Sequence, residues 1–260
     1  MDTAAQIVID RVSHVYRPPR GRPVTALDNV SLEVRNREFV ALLGPSGCGK
    51  STLLYLVGGF LPVEQGAIFV EGKPIAGPGP DRGIVFQHFA LFPWKTVMQN
   101  VLYGLEKQGM AREERLRRAR AFIDLVGLRG FEDNYPSQLS GGMKQRAAIA
   151  RTLAIDPHIL LMDEPFGALD AQTRSLMQGE LLSIWQRSRK TVIFVTHDVH
   201  EASAGVTELN AVVPHDRCAA ALRAAVAACR RVGGDIAARH CVTRGVATAR
   251  PGRQCLAQPR

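Results

Sequence analysis

Apolar residues recur along this chain in two rhythms, and their alternation predicts its elements. "QIVIDRVSHVY", Gln6 to Tyr16, and "LDNVSLEVR", Leu27 to Arg35, step between apolar and polar positions or run apolar, as strands do. "RPPRGRP" between them reads as a loop. "FVALL", Phe39 to Leu43, is apolar throughout, as expected of a strand in a sheet covered on both faces. It runs directly into "GPSGCGKSTLLYLVGG", a glycine loop followed by a helix that should end at Gly58–Gly59. "GAIFVEG" and "RGIVFQ" add two more strands.

From about His88 to Ile155 the spacing turns helical. In "REERLRRARAFIDLVGL", Leu116, Ala119, Phe122, Ile123 and Val126 share one face, and Gly127 can stop the helix. "GGMKQRAAIARTLAI" is a further helix. "HILLMDE" returns to a buried strand, "QTRSLMQGELLSIWQRS" is helical, and "KTVIFVTH" is again a strand. Strands separated by helices predict an α/β fold with a mainly parallel sheet, and the block 88–155 reads as a helical insertion into it.

Composition narrows the picture. At 260 residues the chain can bury a real core, as one large domain or a domain with a subdomain. No apolar run approaches the roughly 20 residues a membrane span needs. The start, "MDTAAQIVIDRVSH", lacks the basic and apolar blocks of a signal peptide, so the expectation is a cytosolic chain. A net charge of +9 would favour nucleic acid if it were spread over a binding face. Residues 203–260, however, hold nine Arg, no Lys and only three acids (Glu208, Asp216, Asp235). The body is therefore near neutral, and no nucleic-acid partner is expected. Cys48 stands alone in the body while Cys218, Cys229, Cys241 and Cys255 lie in the tail. No two form a CxxC pair, so free thiols are expected rather than a metal centre or a disulfide framework.

Three segments carry the chemistry. "GPSGCGKS", Gly44 to Ser51, matches G-x-x-x-x-G-K-[ST] between an apolar strand and a helix. Phosphate needs close approach by backbone N–H groups, and glycines clear the way for it. The helix that follows aims its unpaired N–H groups at the same point. Lys50 adds a full charge for the β and γ phosphates, and Ser51 offers a hydroxyl to Mg²⁺. In "ILLMDEP", Asp163 ends a buried strand, where ligands of open α/β sheets bind, and can hold Mg²⁺ through water. Glu164 follows and can act as a general base on water. In "YPSQLSGGMKQR", a serine and two glycines open a helix, which makes either a second phosphate-binding end or a plain cap.

Taken in order, residues 6 to about 202 resemble the ATP-binding subunit of ABC transporters. The resemblance implies a P-loop NTPase of RecA-like, mainly parallel core, with an antiparallel β part at the N-terminus and an inserted helical subdomain over about 88–155. Tyr16 matches the aromatic that stacks on adenine. Gly44, Pro45, Ser46, Gly47, Cys48, Gly49, Lys50, Ser51 and Thr52 match the phosphate-binding loop and the first turn after it. Gln87, in "VFQH", matches a glutamine that touches Mg²⁺ and the attacking water. Ser140, Gly141, Gly142 and Met143 match the LSGGQ signature, with methionine replacing its glutamine. Asp163 and Glu164 match the metal-side aspartate and the catalytic glutamate. Asp170, in "GALD", matches a residue at the subunit contact, and His197 a histidine on the γ-phosphate. "DRGIVFQHFALFPWKTVMQNVLYGL" and the "LSGGMKQR" stretch look closest to importers of nitrate, sulfonate and taurine.

The resemblance also implies an ATPase that uses ATP and Mg²⁺ and sits peripherally at the cytoplasmic face of the cell membrane. Two subunits would pack head to tail, each ATP lying between residues 44–51 of one and Ser140–Met143 of the other. The partners would be membrane permease subunits and, indirectly, a solute-binding protein. Phe89, Leu91, Phe92 and Trp94 form an apolar cluster suited either to docking a permease helix or to ordinary packing. An ABC-type ATPase outside transport is a second reading, but the chain shows neither the long coiled coils nor the second ATPase half that such proteins carry. A third is a transporter subunit made defective by its C-terminus.

That third reading comes from residues 203–260. In the family, the helix after "THDVHEA" leads into an Asp-Arg pair and another aliphatic strand. Here "SAGVTELNAVVPHDRC" is found instead, with "LNAVV" a poor substitute for the strand. No Phe, Trp or Tyr occurs after Phe194, and Ala fills 14 of the last 58 positions. GC-rich DNA read out of frame gives such a composition, so the tail is read as the product of a frameshift near codon 203, against a genuine divergent extension. Sequencing the coding DNA checks this: one of the two other frames past codon 202 should encode an Asp-Arg pair followed by an aliphatic strand. Its absence from both removes the frameshift.

Overall fold

The computed structural model describes residues 5–188, 190–197 and 208–210. Two sheets organise them. β1 (Ala5–Tyr16), β2 (Val24–Arg35), β4 (Gln65–Val70) and the short β5 (Lys73–Pro74) form an antiparallel sheet in the order β2-β1-β4-β5. β3 (Phe39–Leu43), β6 (Arg82–Val85), β7 (Ile159–Asp163), β8 (Thr191–Thr196) and β9 (Glu208–Asn210) form the second sheet, in the order β6-β7-β8-β3-β9, with parallel pairing throughout. Among the described residues the α-helices are α1 (Lys50–Gly58), α2 (Val97–Lys107), α3 (Arg112–Leu125), α4 (Gly141–Ala154) and α5 (Ala171–Ser188).

The apolar runs are explained by burial on both faces of the parallel sheet. Successive side chains of a strand point to opposite faces. Val40, Leu42, Ile159, Leu161, Ile193 and Val195 therefore enter one core, shared with Leu53, Leu54 and Leu56 of α1 and with Ile7, Ile9 and Leu27 of the antiparallel sheet. The alternate residues Phe39, Leu160, Met162, Val192 and Phe194 enter the other, with Val101 and Leu105 of α2, Ile123 of α3 and Ile149 and Leu153 of α4. Each fully buried aliphatic side chain contributes about 1.5–3 kcal/mol. Every residue of β3, β7 and β8 is buried, and their polar residues, Asp163, Thr191 and Thr196, stand only at strand ends.

The helical block starts later than the periodicity indicates. Residues 88–96 are loop, and helix begins only at Val97. Pro93 disfavours helix at the residue before it. Thr96 then caps α2: its hydroxyl accepts from Gln99 N–H while the Gln99 side chain accepts from Thr96 N–H, a reciprocal cap that sets where the helix starts. In α3 the expected stripe is buried at Ala119, Ile123 and Val126, and Gly127, at φ 64°, ends it.

The far edge of the parallel sheet carries a further difference. Glu208–Asn210 pairs in parallel with Val40–Leu42, so part of the segment expected to substitute poorly for a strand does add one beside β3. Strand pairing needs only backbone groups along the edge, which an atypical sequence also supplies. The remainder of the tail, 211–260, lies outside the described residues.

Asn100 holds the loop that precedes it. It is fully buried on α2; its Oδ1 accepts from Phe92 N–H at 2.9 Å, and its Nδ2 donates to the carbonyls of Phe92 (3.2 Å), Lys95 (2.9 Å) and Thr96 (3.0 Å). Several such bonds at about 1 kcal/mol each would be lost in Asn100→Ala, with loop carbonyls left unpaired. Urea unfolding should show a loss of about 2–4 kcal/mol, and a loss well below 1 kcal/mol would contradict this role.

Candidate functional site

The site forms where β3 ends. Gly47 and Gly49 take left-handed backbone angles, φ 78° and 97°, which let the loop fold tightly onto the start of α1. Gly49 is the N-cap of α1 and provides no side-chain hydrogen bond, and the first turn holds no acidic residue. The other helix starts differ. Thr96 and Ser140 cap α2 and α4, Asp170 accepts from Thr173 N–H at 2.9 Å at the start of α5, and α3 has Glu113 and Glu114 in its first turn. The N–H groups of α1 and their partial positive charge are thus left without a side-chain acceptor at the cap, and the residue placed beside them is a lysine. Lys50 is buried, its Nζ donating to the carbonyls of Gly44 (2.7 Å) and Pro45 (2.9 Å) and lying 3.9 Å from the Cys48 sulfur. An end so positive is complementary to an anion.

Beside this end lies Asp163, wholly buried at the tip of β7. Ser51 Oγ donates to its Oδ1 at 2.8 Å and Tyr55 OH to its Oδ2 at 2.9 Å. Burial, with help from the neighbouring Glu164 carboxylate, pushes the Asp163 carboxyl above its usual range, against the lowering pull of both hydroxyls and Lys50. Burial and the carboxylate likewise raise the Tyr55 phenol, so it stays a donor.

Glu164 leaves the strand at φ 46°, a left-handed angle that is strained for a residue with a side chain, and its N–H is fixed to Val195 O at 3.0 Å. The turn redirects its carboxylate away from the direction of the strand. Gln87 Nε2 donates to Glu164 Oε2 at 3.3 Å, and His197 Nδ1 lies 3.3 Å from the same oxygen. Glu164 is mostly covered, with 16% of its side chain exposed, whereas His197 is 60% exposed. Gln87 and His197, from two other strand ends, thus meet on one oxygen of Glu164.

A cavity of about 310 Å³ joins these groups, within the size range of small-molecule sites. It is lined by Ser46, Gly47, Gly49, Lys50, Ser51 and Thr52 of the loop and first helical turn, by Gln87 and Glu164, and by Tyr16, Val24 and Ala26 of the antiparallel sheet. Tyr16 is 42% exposed, its ring edge-on to His14 at 4.7 Å and its hydroxyl 3.2 Å from Thr52 Oγ1. Of the expected residues, Tyr16, Ser46, Gly47, Gly49, Lys50, Ser51, Thr52, Gln87 and Glu164 line this cavity, with Asp163 bonded to Ser51 and His197 beside Glu164; Gly44, Pro45 and Cys48 do not line it. Ser140, Gly141, Gly142, Met143 and Asp170 do not line this cavity. Ser140 caps α4 by accepting from Met143 N–H at 3.3 Å, and Met143 packs against the core. Cys48 is a buried thiol in no disulfide, and the tail cysteines lie outside the described residues. Tyr55, Val24 and Ala26 were not anticipated. Tyr55 had one legible signal: it stands four residues after Ser51 on the same helix face.

Comparisons with known proteins agree with this geometry. Residues 27–167, more than half of the chain, match the ABC transporter family. The chain is 59% identical over 182 residues to an uncharacterized ABC transporter ATP-binding protein of Methanocaldococcus jannaschii, covering 70% of this chain and 68% of that one. It is 46% identical over 258 residues to the taurine import ATP-binding protein TauB of Burkholderia pseudomallei (98% and 92% covered). With the nitrate import ATP-binding protein NrtD of Synechocystis it shares 51% identity over 194 residues (75% and 73%). Among solved structures, a dimeric ATP-binding cassette in a post-hydrolysis state with ADP and phosphate superposes with a TM-score of 0.74 at 33% identity, covering 80% of this chain and 94% of that one. The phosphate-type loop, the paired acids of β7 and these relatives together place the chain in the ABC transporter family, as an ATP-binding subunit.

Proposed function

We propose that this chain hydrolyses ATP to drive uptake of a small solute such as nitrate, a sulfonate or taurine through a separate membrane permease. The observation that carries the ATPase reading is that the lysine-bearing start of α1, without a side-chain cap, shares one cavity with Glu164 and Gln87, with His197 on the Glu164 carboxylate. The triphosphate of ATP complements that positive end. Glu164 takes a proton from the attacking water as its oxygen bonds to the terminal phosphorus and the bond to ADP breaks. Gln87 and His197 hold the Glu164 carboxylate in place, and Lys50 compensates charge on the phosphates.

Mg²⁺ fits the oxygen donors present. Ser51 and Asp163 supply a hydroxyl and a carboxylate 2.8 Å apart, Gln87 supplies an amide nearby, and a hard cation favours such oxygens. Burial of the Asp163 charge gives a cation something to offset. When bound, Mg²⁺ would neutralise developing charge on the phosphates.

Two features support work in an assembly. Ser140–Met143 lies outside the chain's own cavity, so it is available to a second copy packed head to tail, and the similar cassette is dimeric. Trp94 is 69% exposed beside Phe92 and Tyr103, on the loop that Asn100 holds, and this is the surface we assign to the permease. Among the described residues no helix is long and apolar enough to cross a membrane, so attachment at its cytoplasmic face would pass through the permease. The import names of the relatives favour transport over another ABC-type role; a solute-binding protein would act through the permease.

Glu164→Gln should bind ATP with near wild-type affinity while kcat falls by about 100-fold or more, the scale of general-base catalysis. Equilibrium nucleotide binding alongside phosphate release checks this, and unchanged turnover would remove Glu164 as the base. Asp163→Asn should stabilise the nucleotide-free protein at pH 7 by about 1 kcal/mol or more, since it removes a poorly solvated charge, while abolishing Mg²⁺-dependent hydrolysis. Folding raises the Asp163 pKa, so the folded state takes up a proton there. Acidification therefore stabilises the wild type relative to the variant, and thermal melts should show the gap narrowing as pH falls.

A further inference from the structure

Tyr55 has no part in the mechanism above, yet its hydroxyl touches the centre of the site. Ser51 and Tyr55 stand four residues apart on α1, so their hydroxyls project from one helix face. Each takes a different oxygen of the same buried carboxylate, Oδ1 of Asp163 at 2.8 Å and Oδ2 at 2.9 Å. The Tyr55 ring is held by packing among Phe86, 5.9 Å away, and the core of the antiparallel sheet, so the hydroxyl arrives on a fixed body. The two donors are not equivalent. Ser51 lines the cavity, and a lone pair of its oxygen can bind a cation while its hydrogen stays on Oδ1. Tyr55 is set one turn deeper and does not line the cavity, so its hold on Oδ2 persists.

We propose that Tyr55 is a positioning residue for Mg²⁺ binding. It grips Oδ2, which fixes the rotation of the carboxylate and keeps Oδ1 turned toward Ser51. This rests on the reading of Asp163 as the metal-side carboxylate. Outer partners that orient a ligating carboxylate change metal affinity by about 10–100-fold when removed.

The test uses the full chain with ADP and Mn²⁺ as the spectroscopic probe for Mg²⁺. Tyr55→Phe removes one oxygen and keeps the ring that packs on Phe86, so the fold is retained and can be verified by thermal melting. Mn²⁺ titration monitored by electron paramagnetic resonance should show affinity for the ADP-bound protein weakened by about 10-fold or more. ADP affinity without metal should stay within about twofold, a split that general damage to the site would not produce. Two results overturn the proposal: wild-type Mn²⁺ affinity in Tyr55→Phe, or equal losses of metal-free ADP and Mn²⁺ binding. If the wild-type chain binds ADP but shows no Mn²⁺ site, the metal reading of Asp163 falls together with Tyr55. If Mn²⁺ binds normally to the wild type and equally to Tyr55→Phe, Tyr55 alone is removed.

Discussion

A single buried carboxylate ties the site together. Asp163 lies at the end of a strand covered on both faces, and it is bound from α1 by Ser51 and Tyr55. This fixes the helix after the phosphate-type loop to the strand that presents Glu164. The distance between the positive helix start and the general base is therefore set by one polar contact inside an apolar core. Such a contact is costly to leave half made, because a buried charge without its donors has no solvent to replace them. The same cost makes the site receptive to a cation.

A second tie runs outward from the site. The segment after Gln87 passes through Ala90 at φ 48°, a left-handed angle unusual for alanine. Arg151 of α4 holds it there, donating to Ala90 O at 2.6 Å and to Phe89 O at 3.5 Å, with its guanidinium over the Phe92 ring at 5.8 Å. Burial lowers the pKa of this arginine. Asn100 then takes over the carbonyls from Phe92 to Thr96. The chain from the Glu164 partner to the exposed Trp94 is thus an irregular loop fastened in one half by the half-buried Arg151 and in the other by the buried Asn100. That explains how it can lack helix and yet have a defined shape.

Much of this was legible from particular residues. The uniform apolar runs of β3, β7 and β8 announced a sheet covered on both faces, and Gly44 to Ser51 announced the anion end of α1, because each pattern has few other physical uses. The loop at 88–96 was less legible. Its apolar residues resemble those of a helix face, and what excludes helix there is a proline, a reciprocal cap at Thr96 and bonds from Arg151 and Asn100. Tyr55 was legible only in its spacing from Ser51, because a tyrosine on an apolar helix reads as packing until the strand that carries Asp163 is placed beside it.

The sequence by itself determined the strands and helices of the core, the glycine loop, the acids of β7 and the family, because these depend on local periodicity and on residues whose spacing along the chain is their geometry. Only the tertiary structure decided which groups meet. Gln87, Glu164 and His197 follow the ends of three strands, and the meeting of Gln87 and His197 on one oxygen of Glu164 depends on the order β6-β7-β8 and on the strained turn at Glu164. Neither can be read along the chain, since strand order and side-chain direction are set by which faces the whole molecule can bury.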